Sequence, residues 1–477
     1  MKRILPLLFT CTFSFTLTAQ SLVSAEFQGT VSAQILNLFL PISVQYGVDS
    51  YKLTYTTTDP FGQQDTVTGL MTLPVGSPLV APTVVYNHGT VGARDEVPSV
   101  VGVLERQIPQ AFSGFGFVAL APDYIGLGDS DGIHPYLHAD TEAGVGRDMI
   151  LAAREYLIEQ GFAYNDDIFV TGYSQGGHAS MALAQRMEAN PGQDGLTLTA
   201  AAHLSGSYDL NAPAPQVLQL TSINPNALSF TLNTLISYNY VYDWYGGIEG
   251  LFVEPYLTEA QRFLDEEQDL YEFGLEVDTL MMENSHTFGD IFTAAFNNDV
   301  TNGAPRIVDA YNDNDVFNWA PTAPALLYYC NADETVNPQN SITTADIQLN
   351  LGADSILLTD GGEFNHVDCA TPAAITALQF FLGFASFEPS SIGEPVARPD
   401  LVLAPNPVAA GETVRLSGLP AQQHSFIVYD LSGRAVLSGE TGIDGSIRLP
   451  SQLARGPKVI RIGLSDGTSV VRRIIVE

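Results

Sequence analysis

Apolar and polar positions alternate with a period of two over residues 51–58 and again over 66–73, which predicts two strands of an antiparallel hairpin. Further along, the apolar runs become continuous. "TVVYNHGT", "FGFVALAPDY", "DIFVTGYS", "LTLTAAAHLSG", "ALLYYCNAD" and "DSILLTD" read as strands buried on both faces. Between most of them the apolar residues recur at helical spacing, as over 141–160 and 175–187. Strand alternating with helix predicts a doubly wound, mostly parallel sheet, whose working residues gather at the carboxyl ends of the strands.

The rhythm breaks over residues 207–322, a span far longer than an ordinary connection, and this predicts an inserted cap or lid. Its aromatic patch, "YNYVYDWYGG", leaves two readings open: Tyr240, Tyr242, Trp244 and Tyr245 line an apolar pocket, or they form the core of the cap itself. After residue 385 the Pro-, Ser- and Gly-rich stretch 386–399 reads as a linker. Residues 400–477 alternate in short runs punctuated by Gly and Pro, which predicts a small all-β sandwich. The chain thus divides into a leader at 1–19, a sheet domain at 20–385 carrying the insertion, the linker, and the β domain.

Candidate chemistry starts at "DIFVTGYSQGGHASMAL". Strand 168–171 runs into a helix from Gln175 through a turn with Gly172 and Gly176 two residues either side of Ser174, a G-x-S-x-G pattern in strand-turn-helix context. A turn that sharp projects the Ser174 hydroxyl into solvent, as a nucleophile requires. The nucleophile needs a base and an acid. Of the eight histidines, His178 lies one turn further along the same helix and is assigned to packing. His203, inside a strand, and His424, in the tail, read as structural. His134 and His138 share a loop at a pocket rim, His286 falls in the insertion, and His88 precedes a turn glycine. His366, in "GGEFNHVDCA", remains as the base, placed in a loop before a helix starting near Thr371. Asp333, directly after the strand in "LLYYCNADETV", is the acid, with Asp360 or Glu363 as substitutes, and Glu334 is expected to point elsewhere.

An oxyanion needs two amide donors: one is the N–H of Gln175, the other that of Thr90 in the loop after "TVVYNHGT", with Gly89 as its alternative. Cys330 stands three residues before Asp333 and Cys369 three after His366. If acid and base meet, the sulfurs are drawn together, and a disulfide clamping the two loops follows. "GDSDG" and "NDNDV" lack calcium-loop spacing, and no zinc pattern, P-loop or dinucleotide fingerprint is present, so no cofactor or metal is expected.

Charge narrows the partners. With 53 Asp and Glu against 19 Lys and Arg, the formal charge of −34 repels nucleic acid. Nine of the 19 basic residues fall from Arg398 onward, so the two domains differ sharply in charge balance. The opening segment, Lys2 and Arg3 followed by a short apolar run to Ala19, reads as an export signal, with cleavage after Ala25 as an alternative. No later run is long enough to act as a transmembrane anchor.

The antiparallel start followed by parallel strands fits the α/β-hydrolase fold. Together, "YNHGT", "APDYIGLGDSDGIHPYLHADTEA", "GYSQGG", "NADETV" and "FNHVD" resemble the secretory lipase group of that superfamily. The resemblance implies hydrolysis of small-molecule or lipid acyl esters by Ser174, Asp333 and His366. "LVLAPNPV", "VYDLSGRAV" and "SVVRRIIVE" make the tail similar to a type IX secretion sorting domain, departing from it at Pro457 and Lys458. That implies export through the periplasm of a Gram-negative bacterium by the type IX machinery, to the medium or the cell surface.

Overall fold

The computed structural model describes residues 21–387, 402–418, 422–429, 435–463 and 469–476. The expected leader and residues 388–399 of the expected linker lie outside the described residues. Two compact units are present, one within residues 21–387 and one within 402–476.

The larger unit is built on nine strands: β1 (Leu22–Val31), β2 (Gly47–Thr58), β3 (Gln64–Val75), β4 (Ala81–Asn87), β5 (Val118–Pro122), β6 (Tyr164–Tyr173), β7 (Leu198–Leu204), β8 (Ala325–Tyr329) and β9 (Ile356–Asp360). They form one sheet in the order β1-β2-β3-β5-β4-β6-β7-β8-β9. The hairpin β2–β3 pairs antiparallel along its whole length, β1 pairs antiparallel on its outer edge, and β4 through β9 pair in parallel. Because the chain runs from β4 outward to β5 and then returns to β6 on the other side, the order reverses at β4 and β6. A crevice opens at such a reversal, beyond the carboxyl ends of the strands.

Period-two geometry explains why the central strands read as continuous apolar runs. On β6, Ile168 and Val170 enter the core on one face while Phe169 and Tyr173 enter the core on the other. β8 does the same with Leu327 on one side and Leu326 and Tyr328 on the other. Helices Ala139–Gln160 and Gln175–Ala189 cover the first face, and helix His366–Leu382 covers the second. Each fully buried side chain of Leu, Ile or Phe size stabilises the sheet by roughly 1.5–3 kcal/mol.

Residues 205–324, between β7 and β8, hold five α-helices, Pro225–Tyr242, Tyr256–Leu264, Leu270–Asn284, Ala294–Asn302 and Pro305–Asp313, around a separate core. Trp244 is buried in that core, and Tyr242 and Tyr245 pack against it. Tyr240 instead packs edge-on against Phe61 of the β2–β3 turn. Of the two readings of the aromatic patch, the insertion's own core is the one the structure shows for Tyr242, Trp244 and Tyr245.

The smaller unit consists of two antiparallel sheets. One holds Val402–Ala404, Thr413–Ser417 and Ser446–Arg448; the other holds Ala435–Glu440, Ser425–Tyr429, Gly456–Gly463 and Ser469–Val476. Val414, Leu416 and Ile447 from the first share a core with Val428, Ile460 and Ile462 from the second. His424 is buried in this unit. Among the described residues, no helix is long and apolar enough to cross a membrane.

Candidate active site

Ser174 sits at the apex between β6 and helix Gln175–Ala189 with φ 59° and ψ −119°, backbone angles that cost an L-residue on the order of 1–3 kcal/mol. Surrounding bonds hold it there: its N–H donates to Leu204 O (3.0 Å) and its carbonyl accepts from Gly177 N (2.8 Å). The flanking glycines are needed for space. A Cβ on Gly176 would lie 1.9 Å from Asn87 O, and one on Gly172 would lie 2.1 Å from Gly176 O. The helix therefore packs directly onto the end of β4, and the serine is pushed up out of the bend.

The other two predicted partners come from the ends of β8 and β9. His366 Nε2 is 2.8 Å from Ser174 Oγ, and His366 Nδ1 is 2.8 Å from Asp333 Oδ2. The second oxygen of Asp333 accepts the N–H groups of Thr335 (3.0 Å) and Val336 (2.8 Å), which fixes the carboxylate plane. A carboxylate oxygen facing Nδ1 puts the ring proton there and leaves the Nε2 lone pair toward the serine hydroxyl. Asp360 takes no part in this chain of contacts; its oxygens accept from the Asn331 amide and Gly362 N–H.

Two expectations are corrected here. His366 does not lie in a loop ahead of a helix near Thr371; it is the first residue of helix His366–Leu382, capped by the Asn365 side chain accepting from Asp368 N. Pro372 sits inside this helix, in its second turn, where it cannot donate to the carbonyl of residue 368. Glu334 does not point away: its Oε2 accepts the His366 backbone N–H at 3.1 Å. At the other end of the same residue, the Tyr173 hydroxyl donates to His366 O. Burial, reinforced by the nearby Asp333 charge, pushes Tyr173 ionisation well up, so it stays a donor.

Cys330 and Cys369 are joined in a disulfide and fully buried. The bridge ties the Asp333 loop to the first turn of the His366 helix across a sequence separation of 39. On the loop-entropy account a bridge of that span contributes about 4 kcal/mol. Replacing both cysteines by serine is expected to remove that much, read as a lower denaturation midpoint, with the m-value rising as the released unfolded chain exposes more surface. An unchanged midpoint would show that packing alone holds the two loops.

The predicted oxyanion residues lie beside the serine. Gln175 follows it directly, and a Cβ on Gly89 would lie 3.9 Å from Ser174 Cβ, so the Gly89–Thr90 turn approaches the nucleophile closely. The turn is pinned by His88 Nδ1 at 2.7 Å from Gly89 O and by Thr90 Oγ1 at 2.7 Å from the Tyr136 hydroxyl. Thr90, Gln175, Tyr136 and His134 line one cavity of about 90 Å³, to which Asn233 and Leu270 of the insertion also contribute.

Behind Gln175 lies a buried polar cluster that sequence reasoning did not assemble. Gln175 Nε2 is 3.0 Å from Glu142 Oε1 and 2.9 Å from His134 Nε2, and Glu142 Oε2 is 2.6 Å from His178 Nδ1. Burial lowers the His134 pKa to about 4, keeping that ring neutral. Burial also works against charge on His178, but the Glu142 carboxylate beside it outweighs that and raises its pKa. No local signal marks Glu142, which reaches Gln175 only because two helices dock across one face of the sheet. Among the described residues, no group of three or more His, Cys, Asp or Glu side chains is placed to hold a metal ion.

No family model matches the chain, and no curated protein matches it. Solved structures do. A hydrolase candidate from Legionella pneumophila superposes with a TM-score of 0.67 at 23% identity, covering 76% of this chain and 98% of that one. The rice cell wall degrading esterase LipA from Xanthomonas oryzae gives 0.65 at 24% identity over 77% and 99%. Candida antarctica lipase A in its closed state gives 0.57 at 16% identity over 76% and 81%. With this strand order, the nucleophile-type elbow after β6 and these neighbours, the larger unit has the α/β-hydrolase fold.

Proposed function

We propose that the protein is an exported serine carboxylic ester hydrolase. The observation that carries this reading is the unbroken chain Ser174 Oγ, His366 Nε2, His366 Nδ1, Asp333 Oδ2, with both links at 2.8 Å. His366 takes the hydroxyl proton as Ser174 Oγ bonds to the ester carbonyl carbon. Asp333 stabilises the imidazolium, and the amides of Gln175 and Thr90 donate to the oxyanion. The carbonyl reforms, the bond to the alcohol oxygen breaks, and the alcohol leaves with the His366 proton. Water then attacks the acyl-enzyme, giving its proton to His366, and the acid departs from a regenerated serine. No cofactor enters these steps.

The disulfide supports export, since such bridges persist in oxidising compartments. The separate β unit supports the reading of the tail as a type IX sorting domain. The fold neighbours support ester chemistry, one of them being named an esterase and another a lipase.

A p-nitrophenyl acyl series assayed beside aminoacyl anilides tests the reaction class. Esters are expected to be turned over and anilides to be left intact, with the length profile separating a lipase from a short-chain esterase. A fluorophosphonate is expected to label Ser174 in folded protein. Absence of that adduct would favour a binding protein on a hydrolase scaffold.

A further inference from the structure

The polar cluster behind Gln175 has hydrogen-bond directions that can be assigned throughout. His134 Nδ1 lies 2.8 Å from Ile125 O, so Nδ1 carries the proton and Nε2 accepts from the Gln175 amide. That amide has a second proton, which goes to Glu142 Oε1. His178 faces an acceptor at each ring nitrogen, Glu142 Oε2 at 2.6 Å and Asn314 O at 2.8 Å. A neutral ring would turn a lone pair against one of those oxygens, so the geometry calls for an imidazolium. Gln175, Glu142, His178 and Asn314 are each at most 3% exposed.

A buried ion pair is seldom kept for stability, because well-packed apolar side chains of the same volume serve as well or better. It does fix direction. Neither Glu142 nor His178 contacts Ser174 Oγ, Asp333 or His366, so the pair is not part of the proton relay. What it holds is the side chain of the residue whose backbone N–H follows the nucleophile. Asn314 closes the arrangement: its Oδ1 accepts from Ala139 N, at the start of the helix carrying Glu142, and its Nδ2 donates to the Tyr242 hydroxyl of the insertion.

We propose that the Glu142–His178 pair, with His134, is a positioning device for the oxyanion pocket, gripping the Gln175 side chain so that its backbone N–H stays aimed at the developing charge. This rests on the reading of Ser174 as nucleophile and Gln175 as donor. The reach of the network to Asn314 and Tyr242 means that the inserted helices help to hold the donor in place.

The test is steady-state kinetics on p-nitrophenyl butyrate with Glu142→Ala, Glu142→Gln and Gln175→Ala, each checked for folding by near-UV circular dichroism. Gln175→Ala keeps the backbone N–H and loses only the grip. Both alanine variants are expected to lose about 10- to 100-fold in kcat with little change in KM, the scale of a catalytic group misplaced by about an ångström. Combining them should add little, since they break one linkage. Glu142→Gln can accept from Gln175 and donate to a neutral His178 whose Nε2–H still reaches Asn314 O, so it should recover most of the turnover. Folded alanine variants with wild-type kcat, or losses confined to KM, would overturn the proposal. If Glu142→Ala does not fold, Gln175→Ala decides alone. A wild-type protein that neither cleaves the ester nor takes up fluorophosphonate at Ser174 would instead sink the underlying reading.

Discussion

Ser174→Ala is expected to lower ester turnover by about a millionfold while leaving the fold intact, because a nucleophile acting as a unit with its base cannot be replaced in part. The residual rate, roughly 10³–10⁴ over water, would come from binding and the oxyanion donors alone. Adding His366→Ala to that variant should cost almost nothing more, since the base has no hydroxyl left to activate. A stability measurement makes the comparison sharper. The apex backbone at φ 59° and ψ −119° strains any residue with a Cβ, so Ser174→Gly, equally inert, should be more stable than wild type by about 1 kcal/mol. Activity that persists in Ser174→Ala would move the nucleophile elsewhere; a Ser174→Gly variant no more stable than wild type would show that the elbow stores no strain.

What could be read from the chain beforehand follows from how local each signal is. The elbow is legible because the G-x-S-x-G spacing is local, although the reason Gly176 admits no Cβ, which would lie 1.9 Å from Asn87 O, comes from β4. Asp333 is legible because it follows the buried strand β8, and the cysteines because each stands three residues from Asp333 or His366. The apolar run before His366 reads as a buried strand, but β9 is an edge strand with Leu357 and Leu358 exposed. Other features depend on contacts made far away. β1 escaped notice because it is an edge strand, mostly exposed along its length, without a clean alternating face. Glu142 and His134 reach Gln175 across 33 and 41 residues, through the docking of a helix and a loop that no spacing encodes. The insertion is legible only as a long cap with an aromatic patch; its five helices are not, because the apolar residues that close its core are scattered over all of them.

Asp333→Asn is expected to lower kcat on the order of 10⁴-fold with the three side chains still in contact, and the reason lies in the turn that follows the residue. Oδ1 of Asp333 accepts two backbone N–H groups, from Thr335 and Val336. An asparagine must keep its only oxygen there, since an amide nitrogen would meet two donors. Its NH₂ is thereby forced into the Oδ2 position, 2.8 Å from His366 Nδ1. A donor at that place requires an unprotonated Nδ1, so the neutral ring carries its proton on Nε2 and presents a donor, not a lone pair, to the serine. Base catalysis fails through the wrong tautomer rather than through displacement. Asp360→Asn and Glu363→Gln are the matched controls and should turn over at the wild-type level, because Asp360 serves Asn331 and Gly362 instead. Loss of activity in Asp360→Asn with full activity in Asp333→Asn would reassign the acid and with it the direction of the proton relay.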